Sequence, residues 1–162
     1  MTFDSRTFRN AIGRFTTGVA IATCRAADGG RVGLTVNSFN SVSLDPPLVL
    51  FSIDRKARSC PLFVAAGHFA INILREDQIW LSKTFASAEG PRWDGLALAT
   101  LETGAPVLSE ALATFDCRAV AAHDGGDHVI FVGQVLALNA AEGDPLLYFR
   151  GEYRKLATIR ET

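Results

Sequence analysis

Gly33-Leu34-Thr35-Val36-Asn37-Ser38-Phe39-Asn40-Ser41-Val42-Ser43 is the run on which the reading of this chain turns. Its apolar and polar residues alternate with the period of two that places successive side chains on opposite faces of a strand. It sits inside a longer stretch, Val32 to Leu44, which reads as one strand ended by Asp45-Pro46-Pro47. On that reading Thr35, Asn37, Ser41 and Ser43 share a face, interrupted only by Phe39. Upstream, Val19 to Ala26 is a second strand, joined through the turn Ala27-Asp28-Gly29-Gly30. Further upstream, Phe8, Ile12 and Phe15 recur at helical spacing, with Asp4 or Ser5 as the N-cap.

Downstream, Leu48 to Ile53 is a short strand and Cys60 to Ala66 a short helix stopped by Gly67. His68 to Leu74 reads as a strand and Asp77 to Phe85 as a helix. Ala86 to Trp93, with Gly90 and Pro91, is a mobile or irregular loop, and Leu96 to Ala113 holds short strands. Ala113 to Ala121 and His128 to Leu138 form a hairpin through Asp124-Gly125-Gly126-Asp127, and Leu146 to Phe149 and Tyr153 to Ala157 close the set. Short strands joined by hairpin turns favour an antiparallel barrel over a doubly wound sheet. Leu48–Ile53 and Val129–Leu136 are apolar on both faces, as in a small barrel covered outside by helices or by a second subunit. The expectation is a mainly β (α+β) fold in a single domain, residues 1–162.

Composition narrows the function. The 162 residues carry 16 Lys and Arg against 17 Asp and Glu, so no general electrostatic grip on nucleic acid is expected. No apolar stretch approaches the roughly 20 residues that span a bilayer, and Met1 to Gly13 lacks a signal-type apolar run. Three scattered cysteines, Cys24, Cys60 and Cys117, argue against a disulfide framework. A cytoplasmic protein with reduced thiols follows, with Cys24 and Cys117 packed as hydrophobes. His68, His123 and His128 make no metal-ligand spacing with any cysteine, so no metal site is expected. No nucleophile elbow, HExxH or GxGxxG pattern is present.

Two segments can carry chemistry. The hydroxyl-and-amide row Thr35, Asn37, Ser41, Ser43 suits a flat heterocycle such as a flavin or a nucleotide base, because these groups both donate and accept. It equally suits a wet edge strand. The second segment is Ser52-Ile53-Asp54-Arg55-Lys56-Ala57-Arg58-Ser59-Cys60-Pro61, where three cations precede a helix start capped by Ser59. A phosphate would be held there by cations and free amides, and a solvated basic loop would read the same way.

Taken together, these segments resemble the short-chain flavin reductase family, whose members carry a flavin-reductase-like, FMN-binding split barrel. The resemblance runs from about Phe8 to Leu156. It rests on Gly33–Phe39, Ser41–Val49, Phe69–Leu74, Asp77-Gln78 with Leu81-Ser82 and Phe85-Ala86, Gly126-Asp127-His128 with Gly133, and Pro145–Gly151 with Tyr153. Val36 departs from the alanine usual beside the flavin ring. The resemblance implies a homodimer that uses NADH or NADPH to reduce FMN or FAD for a separate monooxygenase. It places Thr35, Asn37 and Ser38 at the isoalloxazine ring and Ser41 at the ribityl-phosphate side. Ser52, Asp54, Arg55 and Ser59 would hold the phosphate, and Val36 and Ile53 complete the cofactor-binding set. Phe85 would pack near the cofactor, and His128 and Tyr153 would border the nicotinamide, with His128 the catalytic candidate. Period-two alternation does not put Ser38 beside Thr35 and Asn37, so Ser38 acts through its backbone or the strand bulges there.

The chemistry itself would lie in the cofactors. NADH is favoured because no extra basic pair stands out for a 2′-phosphate. Two other readings keep the fold: a tightly held flavin that reduces a ferric chelate or a corrinoid, and a flavin-binding electron carrier without a nicotinamide site.

Overall fold

The computed structural model describes residues 2–87 and 89–157. Helix α1 is Ser5–Ile12, and its cap is Asp4, whose carboxylate accepts the Thr7 N–H at 2.7 Å. Strands β1 (Thr17–Gly18), β2 (Ala20–Arg25), β3 (Arg31–Val36), β4 (Asn40–Leu44) and β5 (Pro47–Asp54) follow. Helix α2 (Cys60–Ala66), strand β6 (His68–Ile73) and helix α3 (Ile79–Phe85) come next. The rest is β7 (Leu98–Ala99), β8 (Val107–Leu108), β9 (Ala113–Gly125), β10 (His128–Ala140), β11 (Leu147–Phe149) and β12 (Glu152–Arg154). Among the described residues no helix is long and apolar enough to cross a membrane.

Seven antiparallel strands form the main sheet in the order β3-β2-β6-β9-β10-β5-β4. Strands β3 and β4 are neighbours in sequence yet occupy opposite edges. A flat sheet of this size would be about 29 Å wide, at 4.7–4.9 Å per strand gap. The link Asn37 to Phe39 can span only about 14 Å from Val36 to Asn40. The sheet therefore curls until its edges approach, which is the split barrel.

That crossing corrects the expected single strand over Val32–Leu44. The chain leaves the sheet after Val36 and re-enters at Asn40, so Thr35 and Asn37 do not share a strand face with Ser41 and Ser43. Ser38 lies in the link. Its hydroxyl accepts the Ser52 N–H at 2.9 Å and donates to the Ser52 carbonyl at 3.1 Å. It thereby satisfies backbone of β5 just beyond the last β4 pairing, Asn40 with Leu50. Neither a bulge nor a strand position is involved.

Smaller differences have local causes. Helix α2 has the expected bounds and ends at Gly67 with φ 68°, but the Ser59 side chain makes no capping bond because Ser59 is already helical. Helix α3 starts two residues late because Gln78 turns inward. Its side chain accepts the Arg75 N–H at 2.9 Å and donates to the Glu110 carbonyl at 3.0 Å.

The barrel interior is aromatic. Phe51 stacks on Phe131 at 5.1 Å between centroids and meets Phe69 edge-on at 4.8 Å, while Phe63 of α2 plugs one end. Strand β2 is buried on both faces. Ala20, Ala22 and Cys24 point into the barrel, and Val19 and Ile21 join Leu74, Leu81, Phe85 and Leu146 in an outer layer under α3. All three cysteines are free and buried. Asn72 is the main polar tie. Its amide donates to the Ile21 carbonyl at 3.0 Å and accepts the Leu108 N–H at 2.9 Å.

Candidate functional site

Two hollows flank β3 and share Thr35 and Ala86. The larger is a groove of about 580 Å³. Its floor is β3 from Arg31 to Thr35, one wall is the turn Lys56–Ser59, and the other runs from Phe85 to Ser87 with Gly90 and Pro91. The smaller, about 200 Å³, lies between Val36-Asn37 and the pair Tyr148 and Tyr153.

Gly33 shapes the groove. A Cβ there would lie 2.7 Å from Phe85 Cε1 and 3.1 Å from the Trp93 ring. Without it, Phe85 closes on the strand and meets Trp93 edge-on at 4.9 Å. The polar lining is ordered by α3. Thr35 donates its hydroxyl to the Ser82 carbonyl at 2.7 Å, and the Ser82 and Tyr153 hydroxyls share a 2.9 Å bond. Tyr153 is braced edge-on by Tyr148 at 5.5 Å. Asn37 stays exposed, with its amide available to a ligand.

Arg31, Lys56 and Arg58 line the groove. None has a carboxylate partner among the described residues. Arg55 points elsewhere: its guanidinium bonds Asp124 at 2.5 Å and the Gly126 carbonyl at 2.9 Å. That contact holds the Asp124 carboxyl below the usual carboxylate range. Asp54 accepts the Lys56 N–H at 2.8 Å and so forms the turn itself.

Of the expected site residues, Thr35, Val36, Asn37, Ser59, Phe85 and Tyr153 line the two hollows. Ser38, Ser41, Ser52, Ile53, Asp54, Arg55 and His128 lie outside both. Ile53 is fully buried in the barrel core, and Ser41 stands exposed on β4. His128 opens β10 opposite Asp54 and is half-exposed, its Nδ1 2.7 Å from the Asp127 carboxylate. That bond lowers the Asp127 pKa. Arg31, Ser82, Ala86 and Tyr148 also line the hollows, and the sequence pattern alone does not mark them as site residues. Ser82 and Tyr148 stand inside segments that carried the resemblance, and only the fold turns them inward.

A split barrel with a groove that is largely apolar along β3, aromatic at one wall and cationic at one end, beside a smaller hollow lined by Thr35, Asn37 and Tyr153, has the chemistry to suit a flat, phosphate-bearing heterocycle. The chain belongs to the flavin reductase like domain family, which matches residues 12–157. The FMN reductase (NADH) SmoA of Agrobacterium fabrum is 47% identical over 154 residues, covering 95% of this chain and 87% of that protein. The reductase subunit HsaB of a flavin-dependent monooxygenase of Mycobacterium tuberculosis is 39% identical, covering 98% of this chain and 86% of its own length. The Streptomyces globisporus NADH:FAD oxidoreductase SgcE6, solved with NAD and FAD fragments, matches with a TM-score of 0.89 at 32% identity. That match covers 95% of this chain and 93% of the other.

Proposed function

We propose that the protein is an NAD(P)H:flavin oxidoreductase, with NADH the favoured donor, that reduces FMN or FAD and delivers it to a separate monooxygenase. The observation that carries this reading is the pair of adjoining hollows at β3, which share Thr35 and Ala86 and present the Asn37 amide in the smaller and cations without a described carboxylate partner in the larger. These residues fit a flavin. A ring laid against Thr35 and Val36 meets Asn37 as donor and acceptor, Phe85 lies at its wall, and Lys56, Arg58 and Ser59 face its phosphate. NADH is supported by its use in two relatives, SmoA as an FMN reductase (NADH) and SgcE6 as an NADH:FAD oxidoreductase.

When both partners are bound, the nicotinamide supplies hydride from C4 to flavin N5. The chain's task is to align the two rings with reacting atoms about 3–3.5 Å apart. Tyr153, fixed by Ser82 and Tyr148, sets the back of the smaller hollow. His128 positions the nicotinamide carboxamide. With Nδ1 turned to Asp127, its Nε2 is the nitrogen left for that contact.

A homodimer is part of the reading. Helix α1 buries none of its residues, and Phe8, Ile12 and the following Phe15 are at least half-exposed, a face that a second copy would cover. Action in the cytoplasm accords with three free thiols.

The test mixes protein, NADH and oxygen, with and without added flavin. Oxidation that rises with free flavin and saturates is the expected result. Full oxidation without added flavin would instead indicate a held flavin serving another acceptor, such as a ferric chelate or corrinoid. A flavin spectrum without oxidation of either nicotinamide would indicate a carrier. Sedimentation of the protein tests the dimer.

A further inference from the structure

The geometry points to Arg55 as a positioning residue that holds the tip of the β9–β10 hairpin, and with it His128, in register with the groove. The inference rests on the nicotinamide role given to His128 above. Arg55 reaches the tip at three points: its N–H donates to the Asp127 carbonyl at 2.9 Å, Nε to the Gly126 carbonyl at 2.9 Å, and Nη2 to Asp124 at 2.5 Å. The same Asp124 oxygen accepts the Gly126 N–H at 3.2 Å, so the turn folds around the guanidinium. The next residue is His128, oriented by Asp127.

Charge explains the choice of residue. An exposed hairpin tip otherwise frays. Two planar guanidinium N–H bonds, one to a carboxylate and one to a carbonyl, fix direction as well as distance, which an ammonium on a flexible stem does not. Lys56 and Arg58, not Arg55, face the groove. Arg55 therefore serves the hydride donor's side of the reaction rather than the flavin phosphate.

The experiment compares R55A, R55K, D124N, H128A and R55A/H128A for nicotinamide KM, kcat and flavin Kd, with amide hydrogen exchange at 124–128 as an activity-independent readout. R55A and D124N are expected to raise the nicotinamide KM about tenfold. Flavin Kd stays near wild type, R55K rescues only in part, and R55A/H128A adds little to H128A. A loss of flavin affinity in R55A as large as the change in nicotinamide KM, with D124N silent, would overturn the proposal in favour of a phosphate contact. If H128A leaves the nicotinamide KM unchanged, the fault lies with the role of His128. The clasp is then judged on exchange: lost protection at 126–128 in R55A supports it, and unchanged protection overturns it.

Discussion

Replacing Gly33 with alanine tests the groove at its tightest point. The added methyl would sit 2.7 and 2.9 Å from two atoms of Phe85 and 3.1 Å from Trp93. Ordinary carbon contacts lie near 3.5–4.0 Å, so the Phe85 ring must retreat by about 1 Å. Phe85 is buried at the end of α3 and edge-on to Trp93, so it cannot swing into solvent. Overpacking of this kind costs about 1–3 kcal/mol, offset by about 0.5–1 kcal/mol from removing a flexible glycine. A net loss of up to about 2.5 kcal/mol lowers the Tm by up to about 10 °C in a chain of this size. Because Phe85 also walls the groove, flavin affinity falls with stability. Thermal unfolding and flavin-fluorescence titration read the two effects. Combining G33A with Phe85→Leu, which removes the ring edge, should restore part of the Tm. An unchanged Tm and flavin affinity in G33A would refute the close approach of strand and ring.

Asn72→Leu leaves the Leu108 N–H and the Ile21 carbonyl without their partner, at about 1–3 kcal/mol for each buried group, read as a lowered urea midpoint. Tyr153→Phe orphans the buried Ser82 hydroxyl and is expected to raise the nicotinamide KM; constants unchanged for both substrates would remove Tyr153 from the site. Burial pushes the Cys24 and Cys117 thiols up to about 12, the latter aided by the Asp116 charge. Between about pH 9 and 12 the unfolded chain then binds fewer protons than the folded one, so stability falls as pH rises, by about 1.4 kcal/mol per pH unit per thiol. Denaturation of C24A/C117A over that range should show a flatter decline than wild type. Riboflavin, which lacks the phosphate, should bind more weakly than FMN, and the gap should narrow at about 1 M salt, where the screening length shrinks to about 3 Å; equal affinities at low salt would leave Lys56 and Arg58 without a phosphate role.

Much of the fold was legible because turns and helix stops are local events. The turn at 27–30, the Gly67 stop and the 124–127 hairpin are decided by a few residues each, and their strands follow. The break after Val36 was not legible. Polar alternation continues through Asn37 and Ser41, so nothing local separates an unbroken strand from a crossing. What decides it is non-local: Ser38 pairs with Ser52, and Phe39 packs on Phe115 at 5.4 Å. The apolar spacing of α1 identifies a helix, yet periodicity does not say which surface covers it, and among the described residues none buries it. Ser82 was invisible as a site residue because its place depends on α3 lying against β3.

The cationic turn shows how one short segment serves two ends. Arg55, Lys56 and Arg58 are interchangeable as charge in the sequence. Asp54 makes them different, because its carboxylate accepts the Lys56 N–H and its carbonyl the Ala57 N–H, closing a tight turn. The turn directs Arg55 toward the β9–β10 hairpin and leaves Lys56 and Arg58 on the groove. A carboxylate at Asp124 waits for the first, and no described carboxylate pairs with the other two. Like charges kept unpaired beside a cavity repel, and an anion that entered would relieve them. Of the three cations in this turn, only Arg55 is paired with a carboxylate among the described residues, while Lys56 and Arg58 stay on the groove, where a bound anion would meet them.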